Sequence, residues 1–242
     1  MNITNQSIIG ELVALDYRFA PVFQKHKIDF CCQGNRTIED ACEKKNVSPS
    51  ALITELEAGT TSQGSGGVDF NSWPLDLLAD YIEKKHHRYV DTRITEIKPM
   101  LDKIVKVHGA NQPELFEIQK LFLESAGELT AHMKKEEFVL FPFMRKLVAA
   151  SSGEKQLGQA HFGTVANPVA MMMDDHAVEG ERFRKIAELS DDYTPPKGGC
   201  TTYMVTFSLL KEFEQDLHLH IHLENNILFP KAVELEKTLV YA

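Results

Sequence analysis

The chain has 242 residues, 43% of them hydrophobic, and a formal net charge of −9. That is enough apolar material for a sizeable core in one or two domains, and no run of about eighteen apolar residues would span a bilayer. The acidic balance argues against nucleic acid and against membrane surfaces, because no clustered cationic face is visible for binding phosphates.

The start MNITNQSIIG lacks the basic stretch and apolar core of a signal peptide, so a cytoplasmic location is the default expectation. Residues 1–58 read as a small helical module. Ser7 is placed to cap a segment through Leu15, Thr37 with Asp40 resembles a capping box ahead of Cys42, and Ser48-Pro49 opens ALITELEAG in the order cap then Pro. A module this short has a marginal core and is expected to lean on the rest of the chain or on a partner. The four cysteines are too few for a disulfide framework in a chain of this length, and two of them, Cys31 and Cys32, are adjacent. Adjacent thiols form only a strained disulfide. They read as thiol ligands, a redox relay or a target of nitrosation, against the alternative of two buried small hydrophobes.

From Gly59 the stretch GTTSQGSGGVD has flexible-linker composition, and we place a linker at 59–70 between the module and a second unit, 71–242. Such a linker permits exchange of units within a homodimer. Four long helical segments follow: Ser72-Trp-Pro74 opens one to about His108, Asn111-Gln-Pro113 one to about Ala150, and Asn167-Pro168 one to about Tyr193. The fourth runs from about Thr201 to Leu239, after the breaker Pro195-Pro196-Lys-Gly-Gly. Pro99, Pro142 and Pro230 are expected to kink their helices or end them early. No sustained period-two alternation suggests a strand. The expected fold is all-α, an antiparallel four-helix bundle with a small helical N-terminal domain.

The second and fourth segments repeat each other. His132-Met-Lys-Lys-Glu136-Glu-Phe-Val-Leu140-Phe141-Pro142 is matched 88 positions later by His220-Ile-His-Leu-Glu224-Asn-Asn-Ile-Leu228-Phe229-Pro230, giving H-x3-E-x3-L-F-P twice. Histidine and glutamate four apart share one helix face. A further histidine lies 45 residues before the first copy, at His87, and 44 before the second, at His176. In the second segment the inward stripe reads Ile118, Phe122, Ser125, Leu129, His132, Glu136, Leu140, Phe143, Leu147, and the fourth repeats it with Phe207, Leu210, Leu217, His220, Glu224, Leu228. A bare carboxylate on such a stripe costs several kcal/mol, of order ~5, unless it is protonated, paired or metal-bound. Two of them beside histidines point to a dinuclear metal site in the bundle core.

A lone histidine on an apolar face is more often a hydrogen-bonded core residue than a ligand. The duplication shifts that weight for His176, on the stripe Val169, Met172, His176, Gly180, Phe183. The neighbours His86 and His87 diverge by about 100° on a helix, and periodicity leaves the choice between them open. His218 and His222 flank His220 at two residues and read as facing solvent; His26, His108 and His161 read as ordinary surface residues. Glu128 and Asp216 each precede a histidine, His132 and His220, by one turn, so both are candidates to accept an imidazole N–H. The alternatives are a helix salt bridge for Asp216 and an extra ligand for Glu128. Imidazole and carboxylate without thiolate suit iron, manganese or zinc.

These residues resemble hemerythrin-like di-iron proteins. With the module containing Asp29-Phe30-Cys31-Cys32-Gln33-Gly34, the whole chain closely resembles the bacterial iron-sulfur cluster repair di-iron proteins. The resemblance implies two non-haem iron ions, carboxylate- and oxo-bridged, with ligands His87, His132, Glu136, His176, His220 and Glu224. It is the resemblance that selects His87 over His86. Oxygen-carrying hemerythrins have a further His four residues after the one matching His176 and an Asp five after the one matching His220; this chain has Gly180 and Asn225 there. The family implies recovery of iron-sulfur proteins after oxidative and nitrosative stress, with those proteins as recipients of iron. The alternatives are a nitric oxide or nitrite reductase and a hemerythrin-like sensor or carrier of nitric oxide or dioxygen.

Overall fold

The computed structural model describes residues 3–61, 68–154, 157–158 and 160–240. The centre of the Gly/Ser-rich linker, 62–67, lies outside these described residues.

The N-terminal module consists of α1 (Ile9–Leu15), a 3-10 turn at Tyr17–Phe19, α2 (Ala20–Lys25), α3 (Ile38–Lys45) and α4 (Pro49–Thr61). Ile9, Phe19, Phe23, Ile38, Leu52 and Leu56 form its buried centre. Thr37 Oγ1 accepts the Asp40 N–H at 3.1 Å, as the capping pattern predicts. Glu39 and Asp40 in the first turn of α3 and Lys44 and Lys45 in its last complement the helix dipole, and Asn46 ends it in the left-handed region at φ +53°. Ser7 does not cap α1. An antiparallel bridge between Ile8 and Thr37 draws the backbone past it, so Ile8 is the N-cap, and Ser7 Oγ accepts the Thr4 N–H at 3.0 Å.

The second unit holds α5 (Leu75–Tyr81), α6 (Arg88–His108), α7 (Glu114–Lys135), α8 (Phe141–Ser151), α9 (Ala166–Leu189), α10 (Thr201–Leu223) and α11 (Phe229–Val240). Among the described residues there is no strand, only isolated bridges. Helix α6 packs on α7 and α10, α7 on α9, and α9 on α10, which closes a four-helix ring. Pro74 and Pro113 are themselves the N-caps of α5 and α7, so the polar residues ahead of them do no capping. Asn167 lies inside α9 rather than ahead of it, because that helix begins at Ala166.

None of the three prolines ends its helical rod. Helix α6 runs through Pro99. Pro142 and Pro230 do not end their rods: π-turns at Glu136–Leu140 and Glu224–Leu228 precede them. Each proline is thereby the second residue of a new α-helical segment, α8 or α11, where no N–H is required. A third π-turn, Ile82–His87, joins α5 to α6. All three carry glutamates or histidines of the repeat, in keeping with the tendency of π-turns to mark functional positions.

The buried apolar residues fall into two clusters. On every bundle helix the change from one to the other comes at the repeat: Ile82 to Val90, Met133 to Leu140, Met172 to Phe183, and Ile221 to Leu223. Between them the bundle contains a polar layer.

Two sequence expectations about other histidines are corrected. His222 is buried and His218 half-buried, because the N-terminal module covers that face of α10: Phe30 packs edge-on against both rings and Tyr17 tilts against His222. His108 has a partner at ligand spacing in space, with its Nε2 3.2 Å from the exposed Cys200 Sγ. That hydrogen bond, with backbone N–H groups at the start of α10, lowers the Cys200 thiol to about 7. We expect Cys200 to be the fastest of the four thiols to react with iodoacetamide, its rate rising with pH through about 7 as thiolate forms. In His108→Ala that midpoint should move toward the ordinary value of about 8.5; mass spectrometry of the labelled peptide across pH reads both.

A candidate dinuclear metal centre

His87, His132, Glu136, His176, His220 and Glu224 converge in the polar layer, each with 4% exposure or less, so none is reached freely by water. They form two overlapping groups: His87, Glu136, His220 and Glu224 in one, His132, Glu136, His176 and Glu224 in the other. Within each group the candidate ligand atoms lie within 4.8 Å of one another. Both glutamates belong to both groups. Both carboxylates thus stand between two pairs of imidazoles, a donor set suited to holding metal ions in a bundle core.

The distances are close. His132 Nε2 lies 3.0 Å from His176 Nε2 and 3.5 Å from Glu136 Oε2; His176 Nε2 is 3.2 Å from Glu224 Oε2. His220 Nε2 is 3.0 Å from Glu224 Oε1, and His87 Nε2 is 3.3 Å from Glu136 Oε2. Yet His87 Nε2, both Glu136 oxygens, His220 Nδ1 and Glu224 Oε2 are buried without a hydrogen bond. His87 and Glu136 are near enough for an ion pair but not aligned for a hydrogen bond. Orphaned buried polar atoms are rare in native proteins. His87 Nε2, the Glu136 oxygens and Glu224 Oε2 belong to the two donor groups, and cations held there would satisfy them.

Electrostatics agrees. Burial and the Glu224 charge oppose ionisation of Glu136, but His132 and His87 outweigh them and hold it below the ordinary carboxylate range. Burial likewise opposes ionisation of Glu224, and His220 and His176 hold it well below that range. Burial works against a charge on His132, yet Glu136, Glu224 and Asp175 lift it to about 9. On His220 burial prevails over Glu224, and its affinity for a proton falls. The layer is therefore built around two anionic carboxylates that demand positive charge, which protons or metal ions can supply.

The groups behind the imidazoles differ from the sequence reading. Glu128 does not reach His132: it lies exposed and pairs with Arg182 at 3.2 Å. The carboxylate beside His132 Nδ1 is Asp175, at 3.1 Å, supplied by α9 rather than by the preceding turn of α7. Asp216 does not meet His220 either. It points across the bundle and lies 3.0 Å from Nδ1 of His86, whose ring stacks on His220. A residue one turn ahead shares a helix face, but the neighbouring helix decides which imidazole it touches. His87 Nδ1 has Glu137 Oε1 at 3.0 Å, and His176 Nδ1 has Asn225 Oδ1 at 2.8 Å. Asp175, Glu137 and Asn225 each adjoin a repeat residue in sequence, and that adjacency was the available signal. Second partners of this kind fix ring orientation and raise ligand basicity. His86 is as buried as His87, but only His87 joins a cluster.

Asn225 also ties the module to the site. Its Nδ2 donates to the Cys31 carbonyl at 3.1 Å while its Oδ1 faces His176, and Asn226 Nδ2 donates to the Phe30 carbonyl at 3.0 Å. Cys32 Sγ donates to the His176 carbonyl at 3.2 Å. The sulfur occupies the notch above Gly180, where an added Cβ would stand 2.8 Å from it. The position that carries histidine in oxygen-carrying hemerythrins is here vacated for a thiol of the N-terminal module.

Comparison with known proteins places this geometry. Residues 78–232 match the hemerythrin HHE cation binding domain, and residues 5–59 match a domain of unknown function, DUF542. The iron-sulfur cluster repair protein ScdA of Staphylococcus haemolyticus is 34% identical over 230 residues, 95% of this chain and 99% of its own. The iron-sulfur cluster repair protein YtfE of Yersinia pestis is 31% identical over 236 residues, 98% of this chain and 100% of its own. No helix among the described residues is long and apolar enough to cross a membrane. From the two shared-glutamate clusters and these full-length matches, the chain belongs to the iron-sulfur cluster repair proteins built on a hemerythrin-type cation-binding domain.

Proposed function

We propose that the bundle holds a non-haem di-iron centre and that the protein serves the repair of iron-sulfur clusters in other proteins, which receive its iron. The observation that carries this reading is the sharing of Glu136 and Glu224 between two buried His/Glu clusters. Bound iron would supply redox-active ions and, when surrendered, the material of a cluster. His87, His132, Glu136, His176, His220 and Glu224 would hold it. Glu137, Asp175 and Asn225 would orient their imidazoles, and the two apolar clusters exclude bulk water. With six residues shared between two ions, each ion is held by fewer protein donors than an octahedron needs, which favours release over permanent retention.

In this reading 71–242 is the metal-holding unit, 1–58 the thiol-bearing module seated on it, and 59–70 the connection. The test is anaerobic purification, metal analysis and Mössbauer spectroscopy, followed by reactivation of a nitric-oxide-treated iron-sulfur dehydratase. Magnetically coupled iron in pairs, together with reactivation, supports the proposal; stoichiometric zinc sinks it. Cys31→Ala/Cys32→Ala is expected to keep the bundle iron and to lose most of the reactivation. Full repair by that variant would show that the thiols take no part.

A further inference from the structure

A third cluster lies outside the bundle core. Cys31, Cys32 and Asp29 present two sulfurs and a carboxylate oxygen within 4.8 Å of one another. The geometry points to a separate site for a single divalent transition-metal ion, formed by Cys31 Sγ, Cys32 Sγ and the Asp29 carboxylate and set against the helix that carries His176. That the physiological ion is ferrous iron passing to or from the bundle rests on the iron-holding reading above; that a metal binds here does not.

The spacing excludes a disulfide and already matches what one ion would require. Two thiolates at about 2.3 Å from one ion at the tetrahedral angle stand about 3.8 Å apart, and a thiolate and carboxylate oxygen about 3.5 Å apart. The sulfurs are 3.7 Å apart and Cys31 Sγ is 3.4 Å from Asp29 Oδ1. The loop is already ordered for this: Asp29 Oδ1 accepts the backbone N–H groups of Cys31 at 3.1 Å, Cys32 at 2.9 Å and Gln33 at 3.4 Å. Most of the charge is also offset. Two thiolates and a carboxylate carry three negative charges, a divalent ion supplies two positive ones, and the Arg184 guanidinium, shared with Glu181 at 2.7 Å, lies 3.7 Å from Asp29 Oδ2 and offsets part of the remainder.

Binding exchanges two thiol protons for one M²⁺, with both protons released to solvent and no change of oxidation state. Two sulfurs select a borderline or soft ion such as Fe²⁺, Zn²⁺ or Co²⁺ over Mg²⁺ or Ca²⁺. The site is partly open, since Asp29 and Cys32 are half-buried while Cys31 is buried. Cys32 Sγ lies 3.2 Å from the His176 carbonyl, so the site stands beside a candidate bundle ligand without sharing one, and metal binding exchanges that S–H···O bond for the metal–sulfur bond.

The test uses the full-length protein, oxygen-free and reduced, titrated with Co²⁺. We expect a sulfur-to-cobalt charge-transfer band in the near ultraviolet, separate from the weaker visible bands of nitrogen- and oxygen-bound cobalt in the bundle. Cys31→Ser/Cys32→Ser should lose that band and one cobalt ion per chain, while Glu136→Ala/Glu224→Ala should keep the band and lose the bundle ions. If the serine variant also loses its bundle bands, it has misfolded, and Asp29→Asn decides. That change retains an acceptor for the loop N–H groups, and since even loss of a supporting partner weakens metal sites by about 10–100-fold, the band should require at least about tenfold more cobalt. Absence of the band at saturating cobalt in both the wild type and the glutamate variant would overturn the proposal, as would an unchanged titration in Asp29→Asn. Loss of bundle cobalt signals alone would count against the dinuclear reading and leave this site standing.

Discussion

Glu136→Ala/Glu224→Ala is expected to strip the bundle of metal while leaving it helical. Each glutamate serves both clusters, so the double substitution removes both shared donors and leaves each ion facing two imidazoles. Small protein sites bind structural metal with about 10–16 kcal/mol; losing half of the donors removes on the order of 5–8 kcal/mol, about four to six powers of ten in affinity. The same argument sets the response to chelation. An ion present at about a thousand times its dissociation constant stabilises the fold by about 4 kcal/mol, which at this chain length corresponds to roughly 10–15 °C in melting temperature. Wild-type protein should lose that increment when treated with a chelator, because the orphaned atoms of His87, Glu136 and Glu224 go unanswered again. The double variant, left with only the thiol site of the N-terminal module, should shift far less on chelation than the wild type. Metal analysis and paired melting curves check both parts, and an unaltered metal content in the variant would exclude these glutamates as ligands.

Gly180→His should unseat the N-terminal module. Cys32 Sγ fills the space that any side chain at position 180 would need, and even a Cβ would stand 2.8 Å from it. Overpacking of this kind costs about 1–3 kcal/mol, which shifts the balance between docked and undocked module by about five- to 150-fold. The contacts released together are Cys32 to the His176 carbonyl, Asn225 to the Cys31 carbonyl and Asn226 to the Phe30 carbonyl. Amide hydrogen exchange should therefore quicken at residues 29–34 and around His222, while α6 and α7 keep their protection. Exchange unchanged at residues 29–34 would mean that the notch is incidental to docking.

The repeat was legible because helices impose a fixed geometry on spacing. His132 with Glu136 and His220 with Glu224 fall one turn apart on stripes of apolar residues, and all the residues of those stripes are buried as the periodicity requires. The helical course of the four long segments followed from the same pattern, including the ends near His108 and Ala150. What the pattern could not carry was the course of the backbone at Pro142 and Pro230. A π-turn inserts a residue between the glutamate and the proline, which helical periodicity does not announce.

The partners of the imidazoles were less accessible. Glu128 and Asp216 satisfy the one-turn rule, yet Glu128 faces Arg182 and Asp216 faces His86. Asp175 reaches His132 from another helix, 43 residues away. His218 and His222 show the same limit: two residues from His220 they were expected to face solvent, but the module, packed through Phe30 and Tyr17, buries that face of α10.

By itself, then, the sequence determined the all-α course of the chain, the duplicated His-x3-Glu unit and its inward face, because each follows from the pitch of a single helix. Which carboxylate supports which imidazole, how Gly180 admits Cys32, and the joining of thiols, Asn225 and His176 were decided only by tertiary structure. Those contacts link residues 43 to 194 positions apart, and their existence depends on how separate helices and the module meet, a quantity that no local spacing encodes.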